Sequence, residues 1–388
     1  VKHPIWEGVM FDTMNKDRFD VAVIGGGMIG PAVSIGLLQR GLDVCILDEG
    51  DDVLRVARGN FGLVWFQGKG FGMPDYVRWT RRSAGLYGDF ASELKDATGV
   101  DVAHANPGGL ELCLGDEEMA HRQHFLGQIY QQGGGEPYEI EYLDRKQVED
   151  MLPGVQLGDE VVGASYSPLD GHVNPLFLLR AMHTRFQQLG GTYKPGHRVT
   201  SVSDDADGYV VHAEAGDIRA AKIVIAAGHG LKDLGPPLGL DIPIRPQRGH
   251  ILVTERTQPL LPMPMSAFRQ THEGSIMLGV SAEEAGYDDM VDTKSINDIA
   301  ARAARTIPAL RGLNIVRSWA ALRVLTPDKC PVYQESATHP GIYGIASHSG
   351  VTLAAVNARV VSGWIAGDPP PEEFRSFGVE RFNAENAA

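Results

Sequence analysis

The sequence predicts a mixed α/β (α+β) fold: a Rossmann-like nucleotide-binding domain assembled from separated segments, with an antiparallel-sheet domain inserted in it. Three observations predict it. The stretch "FDVAVIGGGMIGPAVSIGLLQRGLDVCILDEG" reads strand, glycine turn, helix, strand. Compact apolar runs such as VAVI, VCIL and IVIAAG suit a parallel sheet buried on both faces. Between these runs the pattern changes to half-buried strands with turn signals, as antiparallel sheets require.

In chain order, VAVI is the first strand, and the helix starts behind the glycines and runs towards Gln39. VCIL follows. "GGLELCL", further on, has the look of an antiparallel strand. Asn174 and Pro175 form an N-cap and first helical position for "PLFLLRAMHTRFQQLG", which stops at Gly190–Gly191. A small meander follows, with Asp207–Gly208 as its hairpin turn, and KIVIAAG returns to the parallel sheet. "RGHILVTE", "MSAFRQ" and "SIMLGV" are further antiparallel strands, the last two joined by Thr271–Gly274. "TKSINDIAARAARTI" is an amphipathic helix ending at Pro308. "GIYGIASHSGVTLAAVNARVVSGWIAG" gives a last strand, a turn and a helix.

The domain reading follows from this order. Residues 18–85, 155–230 and 318–370 form the nucleotide domain, 86–154 and 231–317 the substrate domain, and 371–388 a tail. Residues 1–17 are an arm or a remnant not native to the chain, with Met14 a plausible native start. They lack the zones of a signal peptide.

At 388 residues the chain is longer than one typical domain. A net charge of −14 argues against nucleic acid as a partner. No apolar stretch suffices for a membrane span. Cys45, Cys113 and Cys330 fit no metal or iron–sulfur spacing, so no metal is expected and a cytoplasmic setting is the simplest.

Gly25, Gly27 and Gly30 form G-x-G-x-x-G, and Asp48 closes the next strand with Glu49 beside it. The glycines permit the tight turn, the approach of a diphosphate and the packing of helix on strand. The helix N-terminus favours the anion, and Asp48 can accept from a ribose hydroxyl. Met28 and Ile29, between the glycines, join the expected contacts. A ligand-free strand–helix turn is the plainer alternative, but the full strand–turn–helix–strand–acid context favours a dinucleotide.

Three later features favour FAD over NAD. Ala226, Ala227 and Gly228 end KIVIAAG with small residues that let a long cofactor cross the sheet edge. "ARGNFGLVWFQGKG" places Arg58, Gly59, Asn60, Gly62 and Leu63 where a loop would wrap a flavin and its diphosphate. The His348–Ser349–Gly350 turn, with Val351 and Thr352, leads into a helix whose N-terminus suits the negative edge of a reduced flavin.

With these pieces in order the chain resembles the D-amino-acid oxidase / glycine oxidase superfamily of FAD-dependent oxidoreductases, over roughly Phe19 to Gly367. The resemblance rests on "VAVIGGGMIG", "DGHVNP", "KIVIAAG", "RPQRGHILVTE" and "WAALRVLTPD" followed by "IASHSGVTLA". Within it, the chain is most similar to flavin subunits of opine oxidase, hydroxyproline dehydrogenase and hydrogen cyanide synthase types. The resemblance implies an FAD-binding domain with an inserted substrate domain, and oxidation of the C–N bond of an amino or imino acid by hydride transfer to flavin N5, giving an imine. It includes Val199 among the cofactor contacts. It also implies partner subunits that carry an iron–sulfur cluster or a second flavin.

Arg323 stands inside the apolar run "WAALRVL", and a buried guanidinium needs a negative partner. The resemblance places it where glycine oxidase-like members bind the substrate carboxylate. The alternative is a structural pair with Asp328 or another acid. Relatives with covalent flavin carry a cysteine where Ala321 stands, so non-covalent FAD is expected; Met277 replaces a lysine used for oxygen, so a dehydrogenase is expected over an oxidase. His348 and Ser349 are candidates for contact with flavin or substrate; the alternative makes His348 a half-buried turn residue and Ser349 the helix cap. His250 is expected to be a packed strand residue and His172 to order its turn. Trp65 and Phe66 are read as core or as flavin neighbours, and Tyr287 and Tyr333 stay ordinary candidates. Two other readings stay open: an FAD subunit that oxidises no amine itself, and an FAD-dependent hydroxylase, for which no later "GD" motif is apparent.

Overall fold

The computed structural model describes residues 17–50 and 56–383. Met14, nearly all of the 1–17 arm and the end of the 371–388 tail lie outside them. The chain begins with β1 (Arg18–Ile24), α1 (Ile29–Gln39) and β2 (Val44–Leu47). The strands pair in parallel, Val21 with Val44 through Ile24 with Leu47. Alternation along β1 serves two cores: Val21 and Val23 face one, Ala22 and Ile24 the other. That two-sided burial is why the run carries no polar alternation.

β3 (Leu63–Val64) is short, and α2 (Pro74–Thr98) follows it, with proline in its first turn and Gly99 beyond its end at φ +70°. Tyr76, Trp79, Ser83, Tyr87, Phe90 and Leu94 make its buried face. β4 (Gly109–Leu114), α3 (Gly115–Gln132), β5 (Glu141–Asp144), α4 (Arg145–Met151) and β6 (Val161–Ser167) come next. The sequence pattern predicts only a strand in this region. The 3- and 4-residue spacing on α2 is legible, but interleaved Arg, Asp and Gly residues mask it.

β7 (Gly171–His172) leads into α5 (Pro175–Gln188), where Asn174 Oδ1 accepts from Leu176 N at 3.1 Å and Phe177 N at 3.2 Å, as a cap should. β8 (Thr192–Lys194), β9 (Val199–Asp205), β10 (Gly208–Ala213) and β11 (Ile218–Ile225) follow, the Asp207–Gly208 turn joining β9 to β10. A short α6 (Leu231–Leu234) precedes β12 (Arg245–Arg256), β13 (Phe268–Gln270), β14 (Ser275–Leu278) and α7 (Thr293–Thr306). β15 (Ile315–Leu325), β16 (Val332–Glu335) and β17 (Ile342–Ala346) complete the strands. The chain ends in α8 (Ala354–Val356), a π-helical stretch (Asn357–Val361) and α9 (Ser362–Ala366).

The principal sheet has the order β16-β17-β11-β1-β2-β8, with β10 and β9 added beside β11. A second sheet, β13-β14-β12-β15, and a third, β4-β6-β5, share one apolar core with α7 through Leu110, Leu252, Phe268 and Ile299. Pairing cuts across the segment boundaries read from the sequence. β6 lies in 155–230 yet pairs with β4 and β5, and most of β15 lies in 318–370 yet pairs with β12. The long β12–β15 ladder joins the two halves: Leu252 lies in the second core, while Val324 lies in a core of the principal sheet.

Candidate active site

The loop from Gly25 to Gly30 connects β1 to α1. Gly25 has φ +112°, and a Cβ there would overlap the Ala226 carbonyl. A Cβ on Gly30 would overlap the Gly25 carbonyl. These two glycines are demanded by the protein itself. Gly27 is not: the nearest atom to a Cβ there would be Ala57 Cβ, at an ordinary 3.7 Å. Its bare backbone suits close approach by a ligand. Met28 caps α1 with no side-chain hydrogen bond, so no cap competes with an anion for the first amides.

Asp48 is 7% exposed and braces the loop: Oδ2 accepts from Gly26 N at 2.8 Å and Oδ1 from Gly50 N at 2.9 Å. Glu49 stands apart, 3.7 Å from Arg198 in an exposed pair, close to where Val199 opens β9. A cavity of about 620 Å³ opens at this loop, lined by Gly26, Gly27, Asp48, Arg58 and Arg317 among others. Open space at Gly27, an uncapped helix start and two arginines fit an FAD diphosphate.

The next segment is stitched to its surroundings. Asn60 Oδ1 accepts from Gly62 N at 2.7 Å, a local turn. Gly62 has φ +88°, and a Cβ on Gly59 would come within 2.7 Å of Ala321 Cβ. Leu63 pairs with His172 across β3 and β7. Thr352 Oγ1 accepts from Trp65 N at 3.1 Å and donates to Leu63 O at 3.3 Å. Trp65 fills the space in front of Gly109, and Phe66 packs on Tyr138 at 5.3 Å, so both rings have core partners. Ala227 and Gly228 sit at the end of β11, Gly228 at φ +57°.

Asp170, at the head of "DGHVNP", is fully buried and holds this segment from below. It accepts from Phe66 N and Gln67 N, and from Gln67 Nε2 at 2.6 Å. Gln67 Oε1 in turn accepts from Arg122 at 2.8 Å and Ser165 Oγ at 2.6 Å. Burial outweighs these bonds and pushes the Asp170 carboxyl up to about 7. Sequence reasoning did not find this role.

Arg323 is answered by carbonyls. One terminal nitrogen donates to Arg248 O at 3.3 Å, the other to Ser281 O at 2.9 Å. The guanidinium lies against Gly249, where any Cβ would overlap it. Asp328 is not its partner: that carboxylate pairs with Arg381 at 2.7 Å. Glu283 bears on Arg323 by charge, but its oxygens are taken by Arg248 at 2.7 Å, His250 Nδ1 at 3.0 Å and Ser295 Oγ at 2.7 Å. Among the described residues no carboxylate pairs with Arg323. The alternative reading, a structural ion pair, is not found among the described residues, and donors remain for a ligand.

In the turn before the last helix, one of the two readings of Ser349 fails. Ser349 is not a helix cap: helix begins at Ala354, and the Ser349 hydroxyl accepts instead from Lys69 Nζ and Tyr76 OH, each at 2.9 Å. Val351 O accepts from Tyr87 OH at 3.0 Å, and Thr352 O from Ser83 Oγ at 2.7 Å. Gly350 lies over Met28, 3.3 Å from its Cβ were a Cβ present, so this turn meets the phosphate loop. His348 is held well below the usual imidazole range, first by burial, then by Lys69, Arg323 and Lys329. It is neutral near pH 7. Lys69, another residue that sequence reasoning missed, is pulled down to about 8, chiefly by burial.

The remaining candidates stand among the following neighbours. His250 is fully buried, its Nδ1 against Ser281 Oγ at 2.9 Å and Glu283, and its Nε2 accepting from Asp292 N at 2.9 Å. His172 is set in the Leu63 and Ala105 pairings. Tyr333 OH bonds to Asn357 Oδ1 at 3.0 Å in the core. Tyr287 is exposed, with its ring 5.5 Å from that of His229. Met277 Sδ accepts from Arg269 at 2.9 Å.

The chain is similar in sequence and in fold to known proteins. Residues 20–364 match the family described as FAD dependent oxidoreductase. An opine oxidase subunit from Agrobacterium tumefaciens (strain Ach5) is 40% identical over 369 residues, covering 95% of this chain and 99% of that protein. Glycine oxidase of Geobacillus kaustophilus (strain HTA426) is 25% identical, covering 89% and 92%. The crystal structure of glycine oxidase from Geobacillus kaustophilus superposes with a TM-score of 0.85 over 94% of this chain and 98% of that one, at 24% identity.

Proposed function

The chain belongs to this family of FAD-dependent oxidoreductases, which act on C–N bonds of amino compounds, and from that premise we propose that it dehydrogenates an amino or imino acid held by Arg323. The observation that carries the reading is a deeply set guanidinium with two carbonyl partners and, among the described residues, no carboxylate paired with it. A planar fork with donors to spare matches a carboxylate on two bonds. Bound FAD supplies the two-electron acceptor for hydride from the carbon beside the nitrogen.

The rest is positioning by the chain. Gly249 lets the guanidinium lie flat on β12, which fixes the carboxylate relative to the sheet. The Gly25–Gly30 loop and Arg58 would hold the diphosphate, non-covalently, since Ala321 offers no thiol and Cys330 is buried with its Sγ 3.5 Å from Asp328 O. His348, held well below the usual imidazole range by burial and by Lys69, Arg323 and Lys329, stays neutral and adds no further positive charge.

The relative at 40% identity is named as one subunit of an opine oxidase, which supports reading this chain as a catalytic flavin subunit whose electrons leave to a partner. The buried Met277 supports the same view, because no lysine stands at that position to assist oxygen. The test is an anaerobic titration of the flavin band with glycine, D-amino acids, hydroxyproline isomers and opines. Bleaching by one class establishes the activity, and slow recovery in air marks a dehydrogenase. A band that no amine bleaches would refute the assignment and leave an FAD subunit without amine oxidation.

A further inference from the structure

Arg269, on β13, is more deeply buried than Arg323: it is 3% exposed. Its strand explains why. Phe268 turns into the core that holds Leu110 and Leu252, so the next residue, Arg269, faces the other side of the sheet. There it pairs in register with Met277 of β14, beside a small apolar cluster of Phe61, Ile251 and Met277.

Only neutral groups receive its N–H bonds. Nε donates to Phe61 O at 2.8 Å, one terminal nitrogen to Met277 Sδ at 2.9 Å and the other to His172 Nδ1 at 3.4 Å. His172 accepts as a neutral imidazole, since burial and then the Arg269 charge lower it to about 4. Burial lowers Arg269 to about 10, so it stays charged at neutral pH. Glu273 bears on it by charge, but the Glu273 carboxylate accepts from Asn174 Nδ2 at 3.3 Å. Among the described residues no carboxylate forms an ion pair with Arg269. A buried guanidinium with neutral partners alone is costly to keep. At 3% exposure it is closed to a dissolved anion, so it can act only by its field.

Its position says on what it acts. The diphosphate of FAD belongs at the Gly25–Gly30 loop and the substrate at Arg323, so the flavin ring has to bridge them. The 59–65 segment spans the same interval. At one end a Cβ on Gly59 would come within 2.7 Å of Ala321, two residues from Arg323, and Gly59 O accepts from Trp319 Nε1 at 3.2 Å. At the other end Leu63 O and Trp65 N bond to Thr352 Oγ1, in the turn whose Gly350 meets Met28 of the phosphate loop. Arg269 holds the middle of that segment, at Phe61, and a Cβ on Gly62 would come within 3.1 Å of its guanidinium.

We infer that Arg269 is a fixed positive charge that tunes the flavin, favouring its reduced, negatively charged form without touching substrate. Hydride brings two electrons and one proton to the ring, which gains one negative charge, while the substrate carbon loses the same electron pair and proton. A cation held in a low-dielectric wall lowers the energy of that product and of the transition state leading to it. The inference rests on FAD lying along the 59–65 segment, and not on which compound is oxidised.

The experiment uses the FAD-loaded full chain and two readouts that need no amine. One is the midpoint potential of the flavin. The other is its affinity for sulfite, which adds to the ring and leaves a negative charge there. In Arg269→Gln, whose amide can still donate to Phe61 O, sulfite affinity is expected to fall about 10-fold, and the potential by the equivalent of about 30 mV for a two-electron couple. Arg269→Met, shaped for the apolar cluster, should do the same. Arg269→Lys keeps the charge and should return both readouts to wild-type values.

A neutral variant with both readouts unchanged overturns the inference, whatever it does to stability, because it would mark Arg269 as a packing residue. Equal losses in Arg269→Lys and Arg269→Gln overturn it as well, by assigning the effect to shape. If neither neutral variant loads FAD, Arg269→Lys decides: wild-type values support the charge and lowered ones refute it. An amine panel that fails to bleach the flavin would refute the proposed oxidation and leave these results standing.

Discussion

Each residue in the site is explained by what its neighbours leave undone. Arg323 donates to two carbonyls, and among the described residues no carboxylate forms an ion pair with it. Arg323→Ala should raise KM for the substrate about 100-fold or more while FAD stays bound, checked by steady-state kinetics beside the flavin absorbance. Unchanged kinetics would remove the clamp. The glycines divide in the same way. Gly30→Ala puts a methyl onto the Gly25 carbonyl and should cost about 1–3 kcal/mol of stability, read from a urea midpoint. Gly27→Ala meets nothing closer than 3.7 Å, so the fold should survive and FAD affinity should drop. Equal effects of the two changes on folding would contradict the division of labour.

At the scale of elements, the segment from Gly59 to Lys69 is positioned by contacts from β7, β15 and the last turn, and Asp170 is its brace. An Asp170 carboxyl raised to about 7 in the folded chain, against about 4 unfolded, binds its proton more tightly when folded. Its contribution is therefore full below about pH 4 and is lost as pH rises through about 7. Asp170→Asn should flatten that part of the pH profile of stability and also weaken the bond from Gln67 Nε2, which an amide nitrogen cannot accept. Urea midpoints at about pH 5 and about pH 8 check this: the wild-type chain should lose more between them than the variant. Asn174→Ala should cost about 1 kcal/mol by removing the cap of α5.

At the scale of the molecule, the β12–β15 ladder ties the two halves together, because it runs from the second core to the principal sheet. FAD held at the β1–α1 loop would touch the principal sheet, yet its stabilisation should reach both halves. A single thermal transition is expected, raised by FAD, with stabilisation of about 2.7 kcal/mol at free FAD about 100 times its dissociation constant. Circular dichroism and flavin release should therefore move together. Two separated transitions, only one sensitive to FAD, would show that the ladder does not couple them.

Local pattern determined much of this protein. The phosphate loop, its acid, the cap of α5, the β9–β10 hairpin and α7 were all readable, because each depends on residues close in the chain. Arg323 was singled out by its apolar neighbours, and resemblance suggested its use. The sequence could not say that Asp328 belongs to Arg381, since that pairing spans 53 residues and is set by where the C-terminal segment packs. Nor could it show Ser349 turning to Lys69, 280 residues away, in place of capping its own helix. Lys69 looked like one polar residue in a glycine-rich loop, and Asp170 like part of a turn. Their roles come from burial and from which charges the fold puts nearby, and only the tertiary structure decides those, because electrostatic cost depends on the distance and solvent between groups far apart in sequence.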